Sequence, residues 1–149
     1  MFSQEYVHSD EELYRFFKDI PAIVEVTDNG WRLKRSAFTG GSKDSKEVSV
    51  DRAWLRDYDP IASQRESSNG VVCFVTRDIR EDKSVPDRNF DVEPDPIEDG
   101  NNQAGNPAHA KITADPEIKT DGQLKKLQRL LQKLYKCVIL PESQRKSVQ

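Results

Sequence analysis

The stretch Ser9–Phe17, SDEELYRFF, decides how the rest of the chain has to be assembled. Ser9 and Glu12 stand at capping-box spacing, in which a hydroxyl and a carboxylate satisfy two orphan N–H groups at a helix start. Leu13, Phe16 and Phe17 follow at i, i+3 and i+4, one face of a helix. The spacing predicts a short amphipathic helix over residues 10–19, ended by Pro21, and leaves the sheet to later segments.

Those segments are short. AIVEV and WRLKRSAF flank TDNG, and Asn29-Gly30 is a strong hairpin signal. VSV reads as a strand, and DRAWLRDYD as a helical turn with Asp51 as its cap. VVCFV is a continuous apolar run suited to a central strand buried on both faces. Thr76 is placed to cap a short helix, RDIRED, and a strand is expected around Phe90–Val92 before a long acidic loop. HAKIT alternates like a half-buried strand, and CVIL resembles a final one. Between them, Leu124, Leu127, Leu130, Leu131 and Leu134 form one stripe of an amphipathic helix near the C-terminus. The expectation is an α+β fold: a single small domain over residues 1–140, with a flexible polar tail over 141–149. Its twisted, mostly antiparallel sheet has five or six short strands, with two or three helices including the amphipathic C-terminal one.

Composition narrows the class. The 149 residues suit one core, and only 35 % are hydrophobic while 33 % are charged. From Gly122 to Gln149 seven cations face only Glu142, so this end carries +6 and residues 1–121 carry −9, for a net −3. Such polarity steers partners without specifying a fold. No window approaches the roughly 20 apolar residues of a membrane span, and the N-terminus lacks a signal-peptide pattern. Cys73 and Cys137 are too few and too isolated for a disulfide framework, although one bridge between them stays open. The chain reads as cytoplasmic.

Catalytic motifs are tested one at a time. NPAHAKI contains His109, but a zinc base deaminase needs a glutamate two residues on, where Lys111 stands, and a Cys-x-x-Cys pair. No close ligand pair supports a metal site at His109, Cys73 and Cys137, and the acidic loop lacks the ordered EF-hand pattern. TGGSKDSK lacks Walker order, leaving Ser42 and Lys43 as anion contacts at most. An ADP-ribose transfer arrangement can be drawn from Arg15, or from Arg32 with Ser36, together with Glu93; Arg15 is equally explained as the solvated face of the first helix. No cofactor and no metal are expected.

SAF, EVSVDRAWL, NGVVCFV, VEPDP and NPAHAKI together resemble a set of small bacterial proteins that share SVDR, PDP and NPAHA segments. The resemblance implies a bacterial or phage origin and a single compact domain, and it brings no activity and no site residues.

Without a complete catalytic constellation, the leading expectation is a non-enzymatic binding or accessory protein that acts through a protein partner in a bacterial toxin or defence module. Lys125, Lys126, Arg129 and Lys133 would form its charged surface, with Asp95 and Asp99 marking a second. The alternative is a small enzyme directed at a nucleotide or nucleic acid, with His109 as general acid or base and Arg35 or Arg52 on phosphate. A third is nucleic-acid binding through the basic helix without catalysis. Oligomeric state is left open.

Overall fold

The computed structural model of the chain describes residues 1–40 and 45–145. Its first regular segment overturns the helix expected at residues 10–19. Glu12–Phe17 is a strand, β1, with Leu13 and Phe17 in the main core and Tyr14 and Phe16 on the opposite face. A segment apolar on two faces satisfies helical spacing and strand alternation alike, so partners decide between them. Ser9 caps nothing; its carbonyl accepts the Arg77 N–H. The capping box of this chain lies elsewhere, where Thr120 and Gln123 exchange bonds at the start of α2 (Asp121–Leu134).

Val24–Thr27 (β2) and Gly30–Leu33 (β3) form the expected Asn-Gly hairpin, a two-stranded sheet of its own. Val48–Arg52 is β4 and Gly70–Val75 is β5. Asp51 therefore lies inside a strand and caps nothing; the turn that follows is a 3-10 segment, Ala53–Arg56. Thr76 opens α1 (Thr76–Glu81) from within, and its hydroxyl donates to the Glu11 carbonyl. Asn89–Pro94 (β6), His109–Asp115 (β7) and Lys136–Ile139 (β8) complete the described strands.

Six strands form one antiparallel sheet in the order β6-β7-β4-β1-β5-β8. The supposed helix is thus an inner strand. Gly70 faces Phe17 in the β1–β5 register, and a Cβ at Gly70 would enter the Phe17 ring. One sheet face carries Leu13, Val50, Phe74, Val92 and Ile112, and α2 covers it with Leu124, Leu127, Leu130 and Leu131. Each such leucine contributes about 1.5–3 kcal/mol when fully buried. Gln128 and Gln132 of α2 donate to the carbonyls of Phe38 and Leu33, which lock the hairpin side to the helix. The other face holds a smaller cluster of Tyr14, Ala53, Val71 and Cys73. Among the described residues no helix is long and apolar enough to cross a membrane.

Two further segments make contacts that local sequence does not specify. The acidic loop after β6 continues the β6–β7 hairpin, through bridges at Ile97–Asn106 and Gly100–Gln103. In the polar tail, Ser143 bonds Asp19, and Arg145 donates to the carbonyls of Leu140 and Asn69. Residues 146–149 lie outside the described residues.

Arg52 is also not where function would want it. Its side chain is 1 % exposed against Glu11 at 0 %, and its Nε donates to Glu11 Oε1 at 2.8 Å. The rest of its guanidinium serves Glu11 Oε2 and the carbonyls of Ser3, Gln4 and Tyr6. A guanidinium sealed in this way is not presented to a phosphate. Removing one member of a buried pair strands the other charge, so Arg52→Ala should destabilise the fold by about 3–5 kcal/mol in urea denaturation. The double variant Arg52→Met, Glu11→Leu should lose far less than the single one.

Candidate functional site

Four strands meet in one row on the sheet face opposite α2. Register places His109 of β7 beside Asp51 of β4, Asp51 beside Tyr14 of β1, and Tyr14 beside Cys73 of β5. Asp51 is buried, and each carboxylate oxygen has a donor: Asn106 Nδ2 at 2.9 Å and Ser63 Oγ at 2.7 Å. Arg56 closes the cluster, with Nη2 on Asn106 Oδ1 at 2.8 Å and Nε 3.4 Å from Asp51. The same Asn106 oxygen accepts the Ala108 N–H, so Asn-Pro enters β7 through an asparagine turn.

His109 is held by the acidic hairpin extension. Its Nδ1 lies 2.8 Å from the Asp95 carbonyl and 3.3 Å from the Asp95 carboxylate, with the side chain 14 % exposed. Nε2 has no protein partner among the described residues. Asp99 works at the other end of the extension, accepting the Gly105 N–H at 2.5 Å. Gly105 is needed there, because a Cβ would collide with the Ile97 carbonyl and with Asp99.

Beside this row the sheet opens. β1 and β4 are paired only at Leu13–Arg52 and Tyr14–Asp51, whereas β1 stays paired to β5 as far as Phe17. In the gap sits Arg15, expected on a solvated helix face and found inside the fold. Its Nη1 donates to Ser49 O at 2.6 Å, Nε to Ala37 O at 3.0 Å and Nη2 to Thr39 O at 2.6 Å. One of these carbonyls belongs to β4 and two to the 3-10 segment Arg35–Phe38 and its end, so the guanidinium supplies donors to both sides of the gap. Burial pushes Arg15 down to about 10, still cationic at neutral pH. Above it lies a cleft of about 570 Å³, lined by Phe16, Lys18, Ile20, Arg65, Ile97 and His109 among others.

The residues chosen from sequence do not converge on one place. His109 lines the cleft, while Arg52 is sealed in the core and Arg35 lines a separate groove with Lys125 and Asp121. The phosphate-binding partners expected for His109 are therefore not at His109. Arg15 and Ser36 share the cleft, but Glu93 lies exposed on edge strand β6, so the ADP-ribose arrangement is not assembled. Ser42 and Lys43 lie outside the described residues. Both cysteines are free thiols, Cys73 in the smaller cluster and Cys137 against the main core. Among the described residues no three His, Cys, Asp or Glu side chains are grouped to hold a metal ion. The sequence pattern offered Arg15 only for ADP-ribose transfer and Asp51 only as a cap, and it singled out neither Arg65 nor Asn106; the available signal was a lone arginine inside the aromatic run LYRFF.

On the opposite side of the molecule, Lys126, Arg129 and Lys133 of α2 surround a shallow groove of about 360 Å³ floored by Val85, Pro86 and Leu130. Lys133 is tied to Asp82 at 2.9 Å. Burial pushes the Asp82 carboxyl up, but Ser84 and Lys133 outweigh it and hold it at about 2. Lys126 and Arg129 are exposed and make no ion pair among the described residues.

Comparison with protein-family models, with curated proteins and with solved structures finds no match to this chain.

Two measurements check this electrostatic picture. Burial and the nearby Glu12 carboxylate push the Cys73 thiol up to about 11. Cys73 should therefore resist a thiol reagent at pH 8 in the folded protein and react fully in denaturant. The Asp82 pKa is depressed by folding, so its stabilising effect is present above the ordinary carboxylate range and is lost as pH falls toward about 2. Asp82→Asn should therefore be less stable than the parent at pH 7, and the gap should close between about pH 4 and pH 2 in thermal denaturation.

Proposed function

We propose that this protein is a non-enzymatic binding module that docks an acidic segment of a protein partner on α2. The observation that carries the reading is the pair of cations Lys126 and Arg129, without an ion pair among the described residues, flanking the apolar floor of Val85, Pro86 and Leu130. An apolar anchor surrounded by charge is the pattern of a peptide groove, where burial supplies affinity and charge supplies rate and specificity. Lys133 extends the cationic rim, although Asp82 shares its charge.

A protein partner suits this surface better than nucleic acid. The groove holds no aromatic side chain on which a base can stack, among the described residues. Residues 1–121 carry −9, which disfavours a long phosphate backbone running past the helix more than a short acidic peptide held at the rim. An acidic peptide needs only a short contact and brings its own apolar residue. A place beside a toxin or defence protein in a bacterial cell fits this reading, with the partner named only by its chemistry.

The test is a set of labelled 15-residue acidic peptides, each with one leucine or phenylalanine at its centre, measured against duplex DNA of equal charge. Peptides should bind in a salt-sensitive manner, and Lys126→Glu with Arg129→Glu should weaken them at least tenfold while thermal stability is kept. Unchanged peptide binding in that variant, or tighter binding of the DNA, would sink the proposal.

A further inference from the structure

The cleft beside His109 is not used by a partner on α2, and its chemistry differs. The geometry points to a second binding site there, for a small ligand that joins an anionic group to a flat aromatic body.

Charge is the first argument. Arg15, Lys18 and Arg65 all line the cleft, and none takes part in an ion pair among the described residues. The carboxylate that lines it, Asp51, is already committed to Asn106, Ser63 and Arg56. In a chain of net charge −3, this is a local excess of positive charge. Arg15 uses three N–H groups on carbonyls, and a guanidinium carries five, so two remain without a partner among the described residues. A partly buried cation attracts an anion more strongly than a solvated one, because the surrounding dielectric is lower.

Shape and backbone supply the second argument. Phe16 is half-buried, with the Arg65 guanidinium 5.0 Å from its ring centroid, and Ile20 and Ile97 add apolar wall. An arginine that stacks on an aromatic ring readily accepts a second flat group on its free side. Arg65 holds this position from a left-handed backbone, φ 68°, which costs an arginine on the order of 1 kcal/mol that a glycine would not incur. The turn is locked by reciprocal bonds between Gln64 and Asn69. The volume, about 570 Å³, falls among small-molecule sites of about 300–1,000 Å³ and is too small for a folded partner. His109 lines the cleft, and its Nε2, without a partner among the described residues, is free to hydrogen-bond a ligand.

A nucleoside monophosphate and an aromatic carboxylate share this chemistry, and a titration separates them. The full-length chain is titrated with adenosine and uridine monophosphates and with indole-3-acetate, followed by amide NMR and calorimetry. Adenosine tests the ring without the anion, and inorganic phosphate the anion without the ring. At least one of the anionic aromatic probes should bind and shift the amides of Arg15, Phe16 and Arg65, with both controls at least tenfold weaker. Whether the nucleotides or the carboxylate bind more tightly identifies the source. Arg65→Gly, which relieves the left-handed strain, should keep the melting temperature and weaken binding at least tenfold; Lys18→Glu, on an exposed position, should do the same. The proposal fails if no probe shifts the cleft, if inorganic phosphate binds as well as the nucleotides, or if both variants bind like the parent. None of these outcomes touches the peptide groove on α2, whose variants lie on the other side of the sheet.

Discussion

A salt bridge with almost no access to water organises this protein. Arg52 ends β4 and Glu11 immediately precedes β1, so their pairing fixes where the two inner strands cross. Desolvating two charges costs several kcal/mol per ion, and only full hydrogen bonding offsets it. Here the carboxylate also accepts the His8 N–H at 2.6 Å, and the guanidinium gathers three carbonyls of the N-terminal segment. The Glu11 carbonyl takes the N–H and hydroxyl of Thr76, which starts α1 against the same point. One pair thus positions the N-terminal segment, β1, β4 and α1.

The cleft follows from that constraint. Strands pinned at Leu13–Arg52 and Tyr14–Asp51 are free to separate beyond it, and they do. Arg15 fills the opening, donating to Ser49 O of β4 and to the carbonyls of Ala37 and Thr39, at the cost of a buried charge. The opening lies beside Asp51 and His109, with Lys18 and Arg65 as two more cations along it. The opposite face of the sheet is sealed by α2, whose outer surface carries the basic groove. The two candidate surfaces are therefore separated by the sheet, and either can be altered without the other.

Much of this was legible in the residues, and the failures share a cause. Asn29-Gly30 specified its hairpin, VVCFV its doubly buried strand, and the leucine stripe at 124–131 its contact face, because each depends on local geometry or on one-dimensional periodicity. SDEELYRFF was misread because both of its periodicities are apolar, and only the strands on either side distinguish them. Arg52 and Arg15 look like any surface arginines in sequence. One is buried because Glu11 is brought to it from 41 residues away, the other because two strands part around it.

The sequence by itself determined the class of fold, an antiparallel α+β domain, together with the charge polarity and the amphipathic face of α2. These properties are carried by composition and by spacing within a single element. Only the tertiary structure decided which polar residues act together. The meeting of Asp51, Asn106, His109 and Asp95 depends on strand register, and register is set by pairings between segments remote in the chain. A shift of one residue in β7 would turn His109 into the core and Ala110 into the cleft, and no local pattern in NPAHAKI specifies which neighbour β7 pairs with.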